Sequence, residues 1–434
     1  MRTKIILAAA ILASSAAATA QSPAEIQQQR LEKSHHIVYF GDTSHTADSA
    51  QYDALISRFY QNQFRHFQDP RAPYFMLMSR NGNMAMGIGG VLKINGAYDF
   101  DGSTGDISFI PYDIPIPKDP AKNTAFMTSP ANTALFFTVF GNDSRFGDYE
   151  LYIEAKFAGA GGNTFKLKKA YATVGDWTLG YANSTFSDPA AQPPTVDPQG
   201  PNAEISDKSV LLRYMHSFKN DITIAASVET PDNKIPTSDQ WHPTSDFMPN
   251  VAAFVQYAWQ KSSHIRLSGI VKGMRYRDMV QPRNHTLMGW GVHASTVFRP
   301  ASPLTVYGAV NTGRGIGCLI NDLQEGSNDL LGLASDPGRM YAPWSYGWYA
   351  ALQYHFRPDL FSTVMFSQER MLPKHDAQYT ANDYKYGWYA TANLFWDITP
   401  RCEVGLEYNM GRRMNMDHTS RMAYRLCMCA QFSF

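Results

Sequence analysis

Eight basic residues, Lys156, Lys166, Lys168, Arg213, Arg266, Lys272, Lys385 and Arg425, lie in segments where apolar and polar residues alternate. A β-strand sends successive side chains to opposite faces, so each segment has one apolar face and one face that carries charge. If the apolar face meets lipid, a cation placed there costs about 2–4 kcal/mol at the membrane midplane. The charges therefore belong on the inside of a wall, facing water. Glu150, Glu154, Glu229, Glu369, Asp397, Glu403 and Glu407 share that inward register. The cations concentrate on segments 164–174, 207–218 and 263–274, and many of the acids on 360–411. Opposed rows of charge across a constriction set up a transverse field that orients dipolar solutes and sorts small polar or charged ones.

The stretch between two of these segments, residues 187–206, is rich in proline and carries Asp188, Asp197 and Glu204. Proline stiffens the chain and removes backbone donors. A long stiff loop that folds into a wide lumen narrows it, and sixteen strands leave a wide aqueous channel. The expected constriction sets Ser184, Asp188, Asp197 and Glu204 against Lys166, Lys168 and Arg213. Lys156, Arg266, Lys272 and Arg425 are expected to line the pore.

Other chemistries find less support. A hydrolase site needs converging Ser, His and an orienting polar group, and no G-x-S-x-G is present. Cys427 and Cys429 share a face about 6.7 Å apart at ~3.35 Å per residue, at the outer edge of disulfide spacing. Cys402 falls in the opposite register, so these cysteines read as small residues in a wall, and no metal or other cofactor is expected. Asp99, Asp101 and Asp106 in DFDGSTGD miss the calcium-loop spacing of an EF-hand. A barrel enzyme or a surface adhesin stands as the alternative reading.

The ends of the chain indicate which apolar phase covers the wall. Residues 1–20 read as a secretory signal, with Arg2 and Lys4, an apolar run and Ala18-Thr-Ala20 as a cleavage site. No later stretch has the ~18 apolar residues of a spanning helix, so a membrane would be crossed by strands. The last residues, RMAYRLCMCAQFSF, alternate up to the final Phe434. A terminus that keeps its pattern to the end must be covered by lipid and paired to a neighbour, as when a last strand closes a barrel on the first. The 38 basic and 38 acidic residues cancel, which argues against a nucleic-acid surface. Aromatic content is 13% while mean hydropathy is −0.32, the profile of a wall that meets lipid only at alternate positions.

Apolar residues from Tyr52 to Phe67 recur at helical spacing, predicting an amphipathic helix over 47–67. Its stripe would face either its own copies or the barrel mouth. Asn81-Gly82 marks a hairpin. Sixteen two-register segments follow between residues 84 and 434, an even number that leaves both ends on one side. Tyr74 to Ser79 is left outside the wall. Short connections alternate with long polar ones at 100–131, 187–206, 231–248, 275–285, 314–344 and 371–382. GWYA recurs at 347–350 and 387–390, placing Trp348 and Trp388 at a membrane interface.

Residues 164–203, TFKLKKAYATVGDWTLGYANSTFSDPAAQPPTVDPQGPNA, resemble the family of trimeric DcaP-like porins. The matching positions are Gly180, Ser184-Thr185-Phe186, Asp188-Pro189, Pro194, Thr195, Asp197 and Gly200-Pro201, and GIGGVLKINGAYDF at 87–100 resembles the family's first strand. Tyr181-Ala182 departs from the Gln-containing pair common there. The resemblance implies a homotrimer in the outer membrane of a Gram-negative bacterium that passes dicarboxylates or similar small anions. Taken together, the expectation is an all-β chain: a transmembrane antiparallel up-and-down β-barrel of about 16 strands over 83–434, a helical periplasmic extension over 21–82, and delivery by the outer-membrane assembly machinery.

Overall fold

The computed structural model describes residues 26, 35–41, 47, 49–59 and 72–434, apart from residues 144, 146, 160, 220, 260–262 and 327. The signal segment and the second half of the expected helix lie outside the described residues. Sixteen strands form a closed antiparallel barrel. In chain order they are β1 Met84–Asp101, β2 Ala134–Asp143, β3 Gly147–Ala158, β4 Thr164–Val174, β5 Trp177–Asn183, β6 Lys208–Ser217, β7 Ile222–Glu229 and β8 Asn250–Trp259. The second half comprises β9 Ser263–Asp278, β10 Arg283–Ala301, β11 Leu304–Arg314, β12 Trp344–Arg357, β13 Leu360–Leu372, β14 Tyr384–Thr399, β15 Cys402–Asn415 and β16 Ser420–Ser433. The sheet has 20 strands in all, because His36–Phe40, Phe75–Ser79, Ala125–Ser129 and Trp241–Pro243 also pair into it.

Closure explains the aromatic terminus. β16 pairs with β1 from Arg425↔Asp99 to Ser433↔Val91. Phe434 then exchanges backbone bonds with Gly90, at 2.9 and 3.0 Å, which continues the ladder that closes the wall. Below that point the first residues of β1 lack a β16 neighbour. Phe75–Ser79 fills the place, antiparallel to β1, and His36–Phe40 lies parallel beside it. These strands extend the wall beyond the sixteen.

Outward positions such as Leu92, Ile153, Leu179, Leu267, Val364 and Phe432 are exposed, whereas their chain neighbours are mostly buried or half-buried. This is the apolar band that lipid covers. Loops at one end are long, with one correction: β9 and β10 continue to Asp278 and from Arg283, so the connection expected at 275–285 shrinks to residues 279–282. The polar residues there extend a hairpin above the rim.

The helix α1, Ser49–Arg58, is buried at Leu55 and packs, with Phe59, on Met76, Met78, Ala85 and Phe140. Those residues lie on the inner face of the extended wall, at the short-turn end. Gly87 is the seat: a Cβ there would stand 2.7 Å from Cε1 of Phe59 and 2.5 Å from Cγ of Pro73. Arg58 lies 3.6 Å from Asp148 and over the Phe140 ring. The apolar stripe is thus spent on this chain's own barrel mouth.

Candidate pore constriction

Residues 184–207 connect β5 to β6 and run inside the barrel. The turn starts where Ser184 Oγ accepts from the Phe186 N–H at 3.1 Å and donates to Glu229 at 2.7 Å. The Thr185 N–H donates to the other oxygen of Glu229, at 2.8 Å. Asp188 comes next, held by Ser295 Oγ at 2.6 Å, His264 Nε2 at 2.8 Å and Arg266 at 3.3 Å. Burial alone would raise its carboxyl, but Arg266, His264 and Ser295 outweigh burial and hold it well below the usual range. Arg266 also donates to the Ser187 carbonyl and stacks on Phe254.

The middle of the loop is fastened to β14 and β15. The N–H groups of Val196 and Asp197 donate to the two oxygens of Glu407, at 2.7 and 3.0 Å. Asn393 donates to the Pro194 carbonyl at 2.9 Å. Asp197 Oδ1 accepts from the Phe109 N–H, and Tyr389 donates to Oδ2 at 3.2 Å. Burial, with Glu407 alongside, pushes the Asp197 carboxyl up to about 7. Gly405 permits the close approach: a Cβ there would meet Val196 at 2.7 Å. Further on, the Ala203 N–H donates to Ser367 and its carbonyl accepts from Asn311. Residues 102–124 and 315–343 fold inward as well. Arg425, held by a fork to Asp99 of β1 at 2.6 and 3.0 Å, clamps the first of these by a bond to the Ile107 carbonyl. Lys272 holds the second through Asp329 at 3.1 Å.

This anchoring decides where the lumen stays open. Inward residues on β10 to β15, among them Ser295, Asn311, Gln353, Ser367, Asn393 and Glu407, are buried under the loops. On β3, β4 and β6 the inward residues Tyr152, Lys156, Lys168, Tyr171 and Arg213 are only half-buried, and Lys166 is exposed. The inward side chains left least covered are therefore those of β3, β4 and β6. Phe136, Tyr152 and Tyr171 stack there in succession, with ring centroids 6.0 and 5.4 Å apart. Lys156 donates to Asn132, and Tyr171 donates to Glu150.

Lys156, Lys166, Lys168 and Arg213 come together on the open side. Arg266, Lys272 and Arg425 do not; they are engaged behind the loops. Ser184, Asp188, Asp197 and Glu204 are buried; Ser184 is bonded to Glu229 on β7, and Asp188 and Asp197 are bonded to β9, β10 and β14. They do not stand across a gap from the lysines. Glu369, Asp397, Glu403 and Glu407 are likewise buried, so the expected acidic side of a transverse field is covered. Alternation fixes where a wall residue points but says nothing of a loop's path.

Lys169 is the residue that alternation missed. The register slips between Glu154 and Ala155, whose partners are Lys169 and Leu167. This bulge leaves Lys168 as the extra residue, and both lysines turn inward. Two consecutive lysines in a lipid-crossing strand are the signal, since one would otherwise face the hydrocarbon.

The model of the DcaP outer membrane protein family matches residues 81–299. No curated protein matches the chain. Among solved structures, the outer membrane channel DcaP of Acinetobacter baumannii superposes with TM-score 0.69 at 17% identity, covering 81% of this chain and 98% of that one. The anion-selective porin from Comamonas acidovorans gives 0.53 at 8% identity, over 81% and 100%. A loop-deletion form of OmpT from Vibrio cholerae gives 0.51 at 8%, over 81% and 100%. At these identities the likeness is one of fold, a porin barrel, while the family model spans half of the sequence. With its closed barrel, lipid-facing band and inward loops, this outer-membrane porin belongs to the DcaP outer membrane protein family.

Proposed function

We propose that the pore passes small hydrophilic anions, dicarboxylates among them, by passive diffusion and without a catalytic step. One observation carries the reading: Asp188 and Asp197 of the loop at 184–207 are turned to the wall. The open side is left with Lys156, Lys166, Lys168, Lys169 and Arg213 against Glu150 and Glu154. A basic row beside a narrow aqueous path raises the local concentration of anions. The reversal potential under a salt gradient in a planar bilayer tests it. Anion preference is expected; cation preference in a folded pore would overturn the reading.

We further propose a homotrimer. β5 and β7 have 7 and 8 residues, fewer than the ~9–11 that a tilted strand needs to cross the hydrocarbon. A neighbouring subunit on this low side of the wall would cover what lipid cannot. Residues 1–20 are proposed as a cleaved signal and 21–82 as a periplasmic extension, with assembly machinery receiving the aromatic C-terminal strand.

A further inference from the structure

The outer face of the wall carries a chemistry that the pore does not use. On β11, β13 and β15 the outward register reaches the long-loop rim at Arg314, Arg370 and Arg412. The same register below them holds exposed Val310, Val364 and Leu406, so these arginines stand directly above the lipid band. Aromatic rings hold two of them: Arg314 lies 5.3 Å from the centroid of Trp344, and Arg370 lies 5.7 Å from that of Tyr386. Arg412 pairs across from Trp388 and donates to Ser420 Oγ at 2.8 Å.

Trp and Tyr girdles mark the level of the membrane interface. The three guanidinium groups therefore sit among lipid head groups, on alternate strands about 9.6 Å apart by the ~4.8 Å strand spacing. Among the described residues none of the three is in an ion pair. The row also runs into a cleft of about 550 Å³ lined by Lys118, Ser420, Arg421, Met422, Tyr424 and Asp101, among others. Asp101 is engaged by Arg421 at 2.6 Å and Lys118 at 3.7 Å, which leaves the cleft net positive with an apolar floor from the outward register of β16. A planar guanidinium braced on a ring matches a phosphate with two parallel bonds, which an ammonium cannot do. The occupant that fits has several phosphates at interface height and acyl chains running down the wall.

We propose that Arg314, Arg370 and Arg412, with the adjoining cleft, bind the phosphate groups of a phosphorylated glycolipid of the outer leaflet. The three arginines face away from the lumen, so pore conductance should not depend on them.

The test is titration of the intact, delipidated protein in detergent with deep-rough lipopolysaccharide, with the same lipid after dephosphorylation, and with inorganic phosphate. The intact lipid is expected to bind and the other two not. The combined variant Arg314→Gln, Arg370→Gln, Arg412→Gln should weaken that binding by about tenfold or more, the loss of charge-assisted hydrogen bonds, with unchanged conductance. If that variant fails to fold, the triple Arg→Lys variant serves instead. It keeps the charges and loses the forks, and is expected to bind less tightly than the native protein. Equal binding of the dephosphorylated lipid, equal binding by the folded variants, or saturation by inorganic phosphate alone would overturn the assignment.

Discussion

Lys168 and Lys169 are neighbours in the chain, yet both ammonium groups reach the buried carboxylate of Glu154, at 2.7 and 3.9 Å. Only a bulge lets consecutive strand residues share one face. Its effect is to add a cation to the open side of the pore without placing one in lipid.

Changing Lys166, Lys168, Lys169 and Arg213 together to Gln should shift the reversal potential toward cation preference, since Glu150 and Glu154 would then dominate the open side. Conductance should stay within the same order, because the loop at 184–207 loses only the long Arg213 bond to the Asn183 carbonyl, at 3.4 Å, and keeps its anchors to Glu229 and Glu407. If selectivity does not move, the limiting cross-section lies elsewhere in the lumen.

The docking of the loop at 184–207 should depend on pH through Asp197. Its ordinary value is 3.8 and the docked value about 7, so the docked loop holds a proton that the released loop gives up. Docking is then strongest below the ordinary value, weakens as the pH rises, and levels off above about 7. Glu407, Tyr389, Arg425 and the Cys427 thiol are the ionisable groups that face it. Single-channel current noise should grow from about pH 4 to about pH 7. Asp197→Asn keeps an acceptor for the Phe109 N–H and should flatten that dependence; a variant as noisy as the native pore at high pH would count against the loop as its source.

Removing the Phe59 ring should release α1 from the barrel mouth. Phe59→Ala empties a buried site, a change that costs about 3 kcal/mol, and Gly87→Leu would displace the same ring. Limited proteolysis ahead of residue 72 should become faster in both variants, while the barrel from residue 84 onward stays protected. Unchanged protection would mean that other contacts hold the helix.

Mass measurement in mild detergent should return three copies, and the contact should involve the low side of the wall. Glu in place of Leu179, outward-facing on β5, should dissociate the assembly more readily than Glu in place of Val364 on the tall side. A stable monomer at micromolar concentration would contradict the trimer.

Alternation alone determined the wall. Because strand side chains alternate with period two, each segment from 84 to 434 declared which residues meet lipid, and turn residues separated sixteen of them. Unbroken alternation over 421–434 marked one more lipid-facing strand, and its pairing with β1 closes the sheet. The same rule placed Lys156, Lys166, Lys168 and Arg213 inward, and could not place Lys169, because a bulge shifts register without leaving a mark in periodicity. What only the tertiary structure decided is the interior. A proline-rich loop has no repeat to read, and its path follows from partners distant in the chain, such as Glu407 for Val196 and Asp197. That path turned Asp188 and Asp197 to the wall, buried the acids of β13 to β15, and left the inward side chains of β3, β4 and β6 the least covered. The helix is similar: its stripe announced a partner, but the choice of partner rested on Gly87, whose missing side chain makes room for Phe59.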